Sequence, residues 1–454
     1  MTPSLKKLAV RGATWTLISY GATQFLRFGS NVILAYLLVP EMFGLMALVN
    51  VVLIGLRLFS DVGIGPSIVQ NERGEEPDFL NTAWTIQVYR GVGVWLVGCL
   101  IAWPVAQFYG ESQLAVLLPV AALTALIAGF NSTSLFTADR RMDQSRLAVI
   151  ELCGQTVSII VMIGIASVHR SVWALVFGGL CGSTTRMLVS HLWHSDVRNR
   201  FTWNKSDALA LVKFGRWIYV STLLGFILNY GDQLIMGKFL TTRDLGIYSI
   251  AVLMTKVIQQ LLNRMAQKVL FPLYSKLNHL SPIQLRPKVK KVRFALMGVF
   301  LPPLWLLVIL GPELIQTVYN SEYQEAGWML QVLAAGLIIY VSSVIGPFYL
   351  SYGNSFLFMK LQAVRSVLLL VCMAIGGSIA GSSGVIVGVA ATRLAFYPIQ
   401  TFVYNKYSLW MPKLDALGIL SSIVIIASGL WLKALFLPPD IGLQIKEFIK
   451  ALIS

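Results

Sequence analysis

The sequence is poor in the residues that metal binding and catalysis use. Four cysteines and four histidines are spread through 454 residues. Cys99, Cys153, Cys181 and Cys372 all lie inside apolar runs without metal-ligand spacing, so they read as small apolar residues. His169, His191, His194 and His279 lie near the ends of such runs, form no cluster with carboxylates, and read as interfacial. There is no glycine-rich phosphate loop closed by Lys-Ser/Thr and no Gly-x-Ser-x-Gly elbow. Charge is scarce as well: 12% of residues are charged, against about 25% in a soluble domain. Long polar loops are missing, the longest being 194–208 and 275–291. No segment can house a nucleotide site or a soluble catalytic domain. An enzyme, a self-powered ATP-driven pump and a metalloprotein are therefore disfavoured, and no cofactor or metal is expected. The first apolar run is span-length and lacks a small-residue cleavage site, so it is expected to remain as a helix.

What the chain has is apolar surface. Hydrophobic residues make up 56% of it, and the mean hydropathy is +0.71. A water-soluble globule must still cover itself with polar groups, so lipid is the solvent for most of this chain. Inside lipid every backbone N–H and C=O must be paired within the protein. The runs exceed the ~20 residues of a spanning helix and do not alternate like ~10-residue barrel strands. The reading is an all-α integral membrane protein with thirteen spans, near 12–38, 42–66, 80–108, 113–135, 147–168, 171–193, 209–240, 244–274, 292–319, 326–351, 357–379, 384–405 and 414–437.

The net charge of +16 comes from 36 Lys and Arg against 20 Asp and Glu. A nucleic-acid binder would gather its cations on a soluble face. Here they fall in alternate loops: Lys6, Lys7 and Arg11, then Arg73, then Arg140, Arg141 and Arg146, then Arg198, Arg200 and Lys205, then Lys276 to Arg293, and last Lys406 and Lys413. The intervening loops carry little beyond Arg170 and Arg243. That asymmetry places the N-terminus in the cytoplasm of a bacterial inner membrane and, with an odd span count, the C-terminus outside. No nucleic-acid partner is expected. After span thirteen, Ile441, Ile445, Phe448, Ile449 and Leu452 can share one face, which reads as an interfacial amphipathic stub.

The chain repeats itself at an offset of 202. Trp15 meets Trp217, Ser19 meets Ser221, Gly29 meets Gly231, Ile33 meets Ile235, Leu38 meets Leu240 and Gly44 meets Gly246. Each copy is an apolar run, a short break, a glycine and a second apolar run. The copies open spans one–two and seven–eight, so each unit holds six spans and the two units run parallel. The expected organisation is an N-terminal lobe at 1–193, an interlobe loop at 194–208, a C-terminal lobe at 209–405, and an extra span with its tail at 406–454. Two such lobes facing each other would enclose a central cavity. Gly178/Gly182, Gly377/Gly381 and Gly384/Gly388 mark close helix contacts, and prolines such as Pro104, Pro302, Pro303 and Pro398 permit bends within spans.

The segments "LAYLLVPEMFGLMAL" and "LFSDVGIGPSIVQNERG" (58–74), with "GPELIQTVYNSEYQEAGWMLQVLA" (311–334), resemble the polysaccharide transporters of the multidrug/oligosaccharidyl-lipid/polysaccharide exporter superfamily. The resemblance covers nearly the whole chain and implies two six-helix lobes around a central cavity. It also implies a function: flipping undecaprenyl-pyrophosphate-linked oligosaccharides across the inner membrane by alternating access, for exopolysaccharide, capsule or O-antigen synthesis. The implied partners are the lipid-linked oligosaccharide, membrane lipids, and a polysaccharide polymerase with other assembly proteins. Many members of the family have fourteen spans, and this chain departs from that.

Charges inside the spans carry the candidate site. They are Arg27, Arg57, Arg90, Arg186, Arg216, Lys256, Arg264, Arg365 and Arg393, against three acids, Asp61, Glu151 and Asp232. A cation at the bilayer centre costs roughly 3 kcal/mol on insertion scales. The surplus calls for a water-filled cavity or an anionic guest. Arg186, Arg216, Arg264 and Arg365 can snorkel to a surface, and Arg57 can pair with Asp61 at i,i+4. Arg27, Lys256 and Arg393 lie too deep for that. Guanidinium forks match phosphate oxygens, so Arg27, Lys256, Arg393, Arg57, Arg90 and Arg365 are the candidate pyrophosphate contacts. Asp61, Glu151 and Asp232 are the candidates for coupling to a proton or sodium ion. Aromatics such as Trp84, Tyr89, Tyr230, Tyr248 and Tyr340 read as interface anchors rather than as a sugar site.

Two other functions stay in view. A drug or cation exporter of the same superfamily would need intramembrane acids, where bases dominate here. A membrane polymerase or ligase of lipid-linked sugars would need a substantial external loop, and "YGESQ", "VHRS" and "TTRD" are too short to hold catalytic groups.

Overall fold

The computed structural model describes residues 5–61, 63–192, 198–276, 282–345, 348–351 and 354–436. They form α-helices joined by short turns, with no strand among the described residues. The chain divides into two compact units, Met1–Phe226 and Ile227–Ser454.

The first unit contains α1 (Leu5–Leu37), α2 (Pro40–Phe59), α3 (Ile64–Gln70), α4 (Pro77–Tyr109), α5 (Leu114–Gly129), α6 (Ser134–Arg140), α7 (Gln144–Val168), α8 (Trp173–Leu192) and the first part of α9 (Lys205–Phe239). Proline opens α2 and α4, where its missing N–H costs nothing. The run expected as one span at 42–66 is two helices. Asp61 Oδ1 accepts from the Gly63 N–H at 3.0 Å, and Gly63 adopts a left-handed φ of 65° that a side chain would resist. The run at 113–135 is also broken, with α5 and α6 meeting at 61°. Gly178 and Gly182 of α8 lie against α7: a Cβ on Gly182 would sit 2.7 Å from the Ser158 Cβ.

Part of the expected interlobe loop is pinned to this unit. The backbone N–H groups of Arg200, Thr202 and Asn204 donate to the side chains of Asn81, Thr85 and Thr82 on α4. Leu211 then joins a small core with Ile64, Ile68, Phe79 and Leu80. Polar residues inside an apolar helix here provide acceptors for a non-helical stretch of chain.

The second unit takes the rest of α9, then α10 (Thr242–Lys276), α11 (Pro282–Val318), α12 (Ala326–Ser343), α13 (Phe348–Ser351), α14 (Ser355–Lys406) and α15 (Pro412–Phe436). A break at Ala380 and Gly381 (φ 59°) folds α14 back on itself, so that the backbones of Gly376 and Gly384 touch. Its two arms cover the expected spans at 357–379 and 384–405. The core is built from α10, α11, α12, α13 and the second arm of α14, with Leu262, Leu304, Leu337, Val341 and Phe348 buried.

Arg293 departs from the sequence reading, which counts it with the cytoplasmic loop cations. Helix α11 starts at Pro282, well before the expected span at 292, so Arg293 is fully enclosed. Its Nη2 donates at 2.5 Å to both Asp415 Oδ1 and the Ser342 carbonyl. Tyr397 and Trp410 donate to the other oxygen of Asp415. At the far end of α15, Lys433 pairs with Glu313 of α11 at 2.6 Å. The sequence reading recognises three acids within the spans; Glu313 and Asp415 are two more, and both tie α15 to α11.

Among the described residues eight helices are long and apolar enough to cross a membrane, nine if the bent pair α5 and α6 is one span. Helices α1, α8 and α9 lie over further expected spans but outside that set. The 202-residue repeat has a structural counterpart: α1 ends at Leu37 and α2 begins at Pro40, while α9 ends at Phe239 and α10 begins at Thr242. Both breaks fall at the same offset, and Gly44 and Gly246 are both buried just beyond them. The amphipathic stub lies outside the described residues.

Candidate substrate-binding site

Each unit holds a polar cavity of its own. That of the first unit has a volume of about 350 Å³ and is lined by Arg57 from α2, Gln87 and Arg90 from α4, Glu151 from α7 and Arg186 from α8. Its charges are largely answered within the unit. Arg90 pairs with Asp61 at 3.2 Å and donates to Ser60 Oγ. Arg186 pairs with Glu151 at 2.6 Å. The i,i+4 pairing of Arg57 with Asp61 is not what forms. Helix α2 ends at Phe59, which turns Asp61 toward the Gly63 amide and Arg90, and Arg57 Nε donates instead to the Leu53 carbonyl at 3.4 Å. Gln87 Nε2 donates to the carbonyls of Gly129 and Asn131, two groups left over where α5 breaks.

The cavity of the second unit measures about 330 Å³. Three helix stripes build it. Gln259, Asn263 and Gln267 follow at i, i+4 and i+8 on α10, which sets them on one face. Gln362 and Arg365 come from the first arm of α14, and Gln400 and Tyr404 from the second. Tyr340 and Tyr349 complete the wall. No carboxylate lines it among the described residues. Tyr340 donates to Asn263 Oδ1 at 2.6 Å and offers its ring to the Arg365 guanidinium at 5.6 Å. Gln400 donates to Tyr404 and the Ser343 carbonyl.

Two of the three deep cations, Lys256 and Arg393, lie near this second cavity without an ion pair among the described residues. Arg393 donates through Nη2 to Gln259 Oε1 at 3.3 Å, while its buried Nε and Nη1 have no hydrogen-bond partner among the described residues. Arg365 and Arg393 are close enough to interact electrostatically. Lys256 donates to the Asn229 carbonyl at 3.3 Å and sits 5.1 Å from the centre of the Tyr230 ring. No carboxylate lies within salt-bridge distance of Lys256, Arg365 or Arg393 among the described residues. Arg27 is exposed on α1 and lines neither cavity. The side chain of Arg216 lies outside the described residues.

The three coupling candidates also separate. Asp61 and Glu151 are paired with arginines. Asp232 accepts from the Tyr248 hydroxyl at 2.8 Å through Oδ2, and its buried Oδ1 has no hydrogen-bond partner among the described residues. The described residues contain no group of three or more His, Cys, Asp or Glu that could hold a metal ion, and all four cysteines are free.

Outside the spans, Arg141 grips Glu75 with two hydrogen bonds of 3.0 and 2.9 Å. Those bonds, helped by the charges of Arg141 and Arg140, hold the Glu75 carboxyl below its usual range. The contact puts loops 71–76 and 140–143 on one side of the unit, as their shared basic character implies.

The amides are not among the residues that charge and aromatic rings single out in the sequence. Their signal was legible: three amides at i, i+4 and i+8 within an apolar run are costly in lipid unless they face a cavity or each other.

This is the fold of multi-pass transporters. The chain aligns with the lipid II flippase MurJ in its inward closed conformation over 98% of both chains, with a TM-score of 0.71 at 14% identity. It aligns with an inward-facing multidrug resistance MATE family transporter of the MOP superfamily over 90% of this chain and 95% of that one, with a TM-score of 0.63 at 12% identity. Within that class the sequence is more specific. The chain belongs to the polysaccharide biosynthesis protein family, whose profile matches residues 33–327. It is 22% identical over 434 residues to the lipopolysaccharide biosynthesis protein WzxC of Escherichia coli (strain K12), covering 90% of this chain and 85% of WzxC. It is 23% identical over 375 residues to the succinoglycan biosynthesis transport protein ExoT of Rhizobium meliloti (strain 1021), covering 81% of this chain and 74% of ExoT.

Proposed function

We propose that this protein is a flippase that moves undecaprenyl-pyrophosphate-linked oligosaccharide units across the bacterial inner membrane by alternating access. The observation that carries the reading is the uncompensated charge of the second unit. Arg393 feels the charge of one acid, Asp232, without forming a salt bridge, and Lys256 and Arg365 have no carboxylate within salt-bridge distance among the described residues. Desolvated cations of this kind are costly without a counter-ion, and a pyrophosphate supplies one whose oxygens fit guanidinium forks. Arg27, Arg57 and Arg90 are the further contacts proposed along the route. The family and the names of the relatives point to polysaccharide export, and the flippase and transporter neighbours point to transport rather than catalysis. In this reading the N-terminus is cytoplasmic and the chain would cross the membrane thirteen times, as two six-helix lobes, an extra span and a tail.

The test is reconstitution. Purified protein in proteoliposomes should move a lipid-linked oligosaccharide from the leaflet where it is loaded to the other, and Arg393→Ala should stop this without loss of protein. Transport of cationic dyes with no binding of any polyprenyl pyrophosphate would move the protein to the drug-exporter class. Elongation of the lipid-linked sugar would make it a polymerase.

A further inference from the structure

We infer that the amide-lined wall of the second unit's cavity is a saccharide subsite, reading the sugar residue attached directly to the pyrophosphate. The inference rests on the flippase reading and goes beyond it by dividing the head group between two kinds of side chain.

The chemistry of the wall is the first argument. An amide side chain both donates and accepts, and so does a tyrosine hydroxyl, which is the pairing that sugar hydroxyls need. Part of this polar inventory is spent on the protein: Gln400 on Ser343 and Tyr404, and the Asn263 oxygen on Tyr340. The rest is not. The amides of Gln267 and Gln362 make no hydrogen bond among the described residues, and Gln259 and Asn263 use only their oxygens. Amides that served only to join helices would be bonded across the interface. These face the cavity with their N–H groups unspent. The rings of Tyr349 and Phe358, 5.8 Å apart and inclined by 33°, give the same wall an apolar surface for the C–H face of a pyranose.

Position and size are the second. Arg365 lines the same cavity, and Gln259 hydrogen-bonds Arg393, so amides and cations adjoin. A phosphate on the guanidinium groups would leave its first sugar among the amides. The volume of about 330 Å³ lies at the small end of ordinary ligand pockets, about 300–1,000 Å³. That suits the proximal residue and not a whole repeat unit. Among the described residues the lining offers no carboxylate that would repel an adjacent phosphate.

The experiment measures binding of two kinds of probe to purified full-length protein in detergent. One is bare undecaprenyl pyrophosphate. The others are the same lipid carrying a single glucose, galactose or N-acetylglucosamine. At least one glycosylated lipid should bind about tenfold tighter than the bare one, the gain expected from two or so neutral hydrogen bonds. Gln267→Leu/Gln362→Leu should remove that gain and leave the bare lipid's Kd unchanged, which also shows that the variant is folded. A second pair, Gln267→Asn/Gln362→Asn, keeps the amides but draws them back, and should lose most of the gain. If the bare lipid binds and no single sugar improves on it, the subsite is overturned while the flippase reading stands. The same holds if the glutamine variants keep the full gain. If no polyprenyl pyrophosphate binds at all, the flippase reading fails and takes the subsite with it.

Discussion

The two cavities are close in volume and opposite in how their charge is settled. In the first unit, lining arginines are matched by carboxylates, Arg90 by Asp61 and Arg186 by Glu151. In the second, Arg365 and Arg393 have no carboxylate within salt-bridge distance among the described residues, and amides take the place of acids. That unit does form an ion pair of its own, Arg293 with Asp415, but seals it away between α11 and α15. A cavity that answers its own charges has less need of an anion. One that leaves them unanswered has a standing free-energy reason to bind one.

Removing the sealed pair should have the largest effect and separates structural charge from functional charge. Asp415→Ala strands Arg293 in a dry core and should cost about 3–5 kcal/mol, much of a total stability of about 5–15 kcal/mol. Membrane accumulation and melting temperature should both fall. Replacing both partners with apolar residues, Arg293→Met/Asp415→Leu, should restore much of the loss. A single variant as stable as the parent would show that the pair does not anchor α15.

Next comes the uncompensated cavity. Arg393→Ala and Lys256→Ala should each lower affinity for undecaprenyl pyrophosphate about ten- to a hundredfold, the loss of one charged hydrogen bond at ~1.5–3 kcal/mol. Protein levels should hold, because neither cation is spent on a fold-holding ion pair. Arg27, which lines neither cavity, is proposed to act elsewhere on the route: Arg27→Ala should abolish export, and Arg27→Lys should rescue only partly, keeping the charge without the fork. Wild-type export from all three alanine variants would remove the cationic-site mechanism.

Ion coupling sharpens the contrast further. Asp232 has a buried oxygen without a hydrogen-bond partner among the described residues, whereas Asp61 and Glu151 are committed to arginines. Asp232→Asn should weaken the dependence of transport on an imposed proton or sodium gradient, and Asp61→Asn and Glu151→Gln should change it little. Gradient dependence unchanged in all three would exclude carboxylate coupling. Glu151→Gln should also cost stability only ~0–1 kcal/mol, since the pair is half exposed, and a larger loss would show that the first cavity depends on it.

The smallest effect is expected at the loop contact outside the membrane. Glu75 is held below its usual range by Arg141, so its contribution is complete above the unfolded carboxylate value of ~4.3. It is lost as pH falls from there through the depressed folded value. Hydrogen exchange at 71–76, corrected for its intrinsic pH dependence, should rise in acid. Glu75→Gln should show the same rise at neutral pH and no further change in acid.

The membrane class, the helical spans and the repeat were legible because lipid imposes them: apolar length and backbone pairing leave few alternatives. The deep cations were legible for the same reason, since a charge in an apolar run stands out whatever it contacts. Their partners were not. By helical spacing Asp61 is the partner of Arg57, but the helix ends at Phe59 and the turn that follows carries Asp61 to Arg90. Arg293 looked like a loop cation because its helix begins before the apolar run does. The amides of α10 are visible at i, i+4 and i+8, yet nothing in that spacing says which of them are spent on neighbours and which face open space. Sequence periodicity is a local property of one helix, and it determined here that the chain lives in lipid, that its helices recur at a fixed offset, and that unusual charge lies inside them. Which charges cancel, which stand alone and which amides line a cavity depend on contacts between different helices, from 29 residues apart for Arg90 and Asp61 to 134 for Arg393 and Gln259, and only their packing decided that.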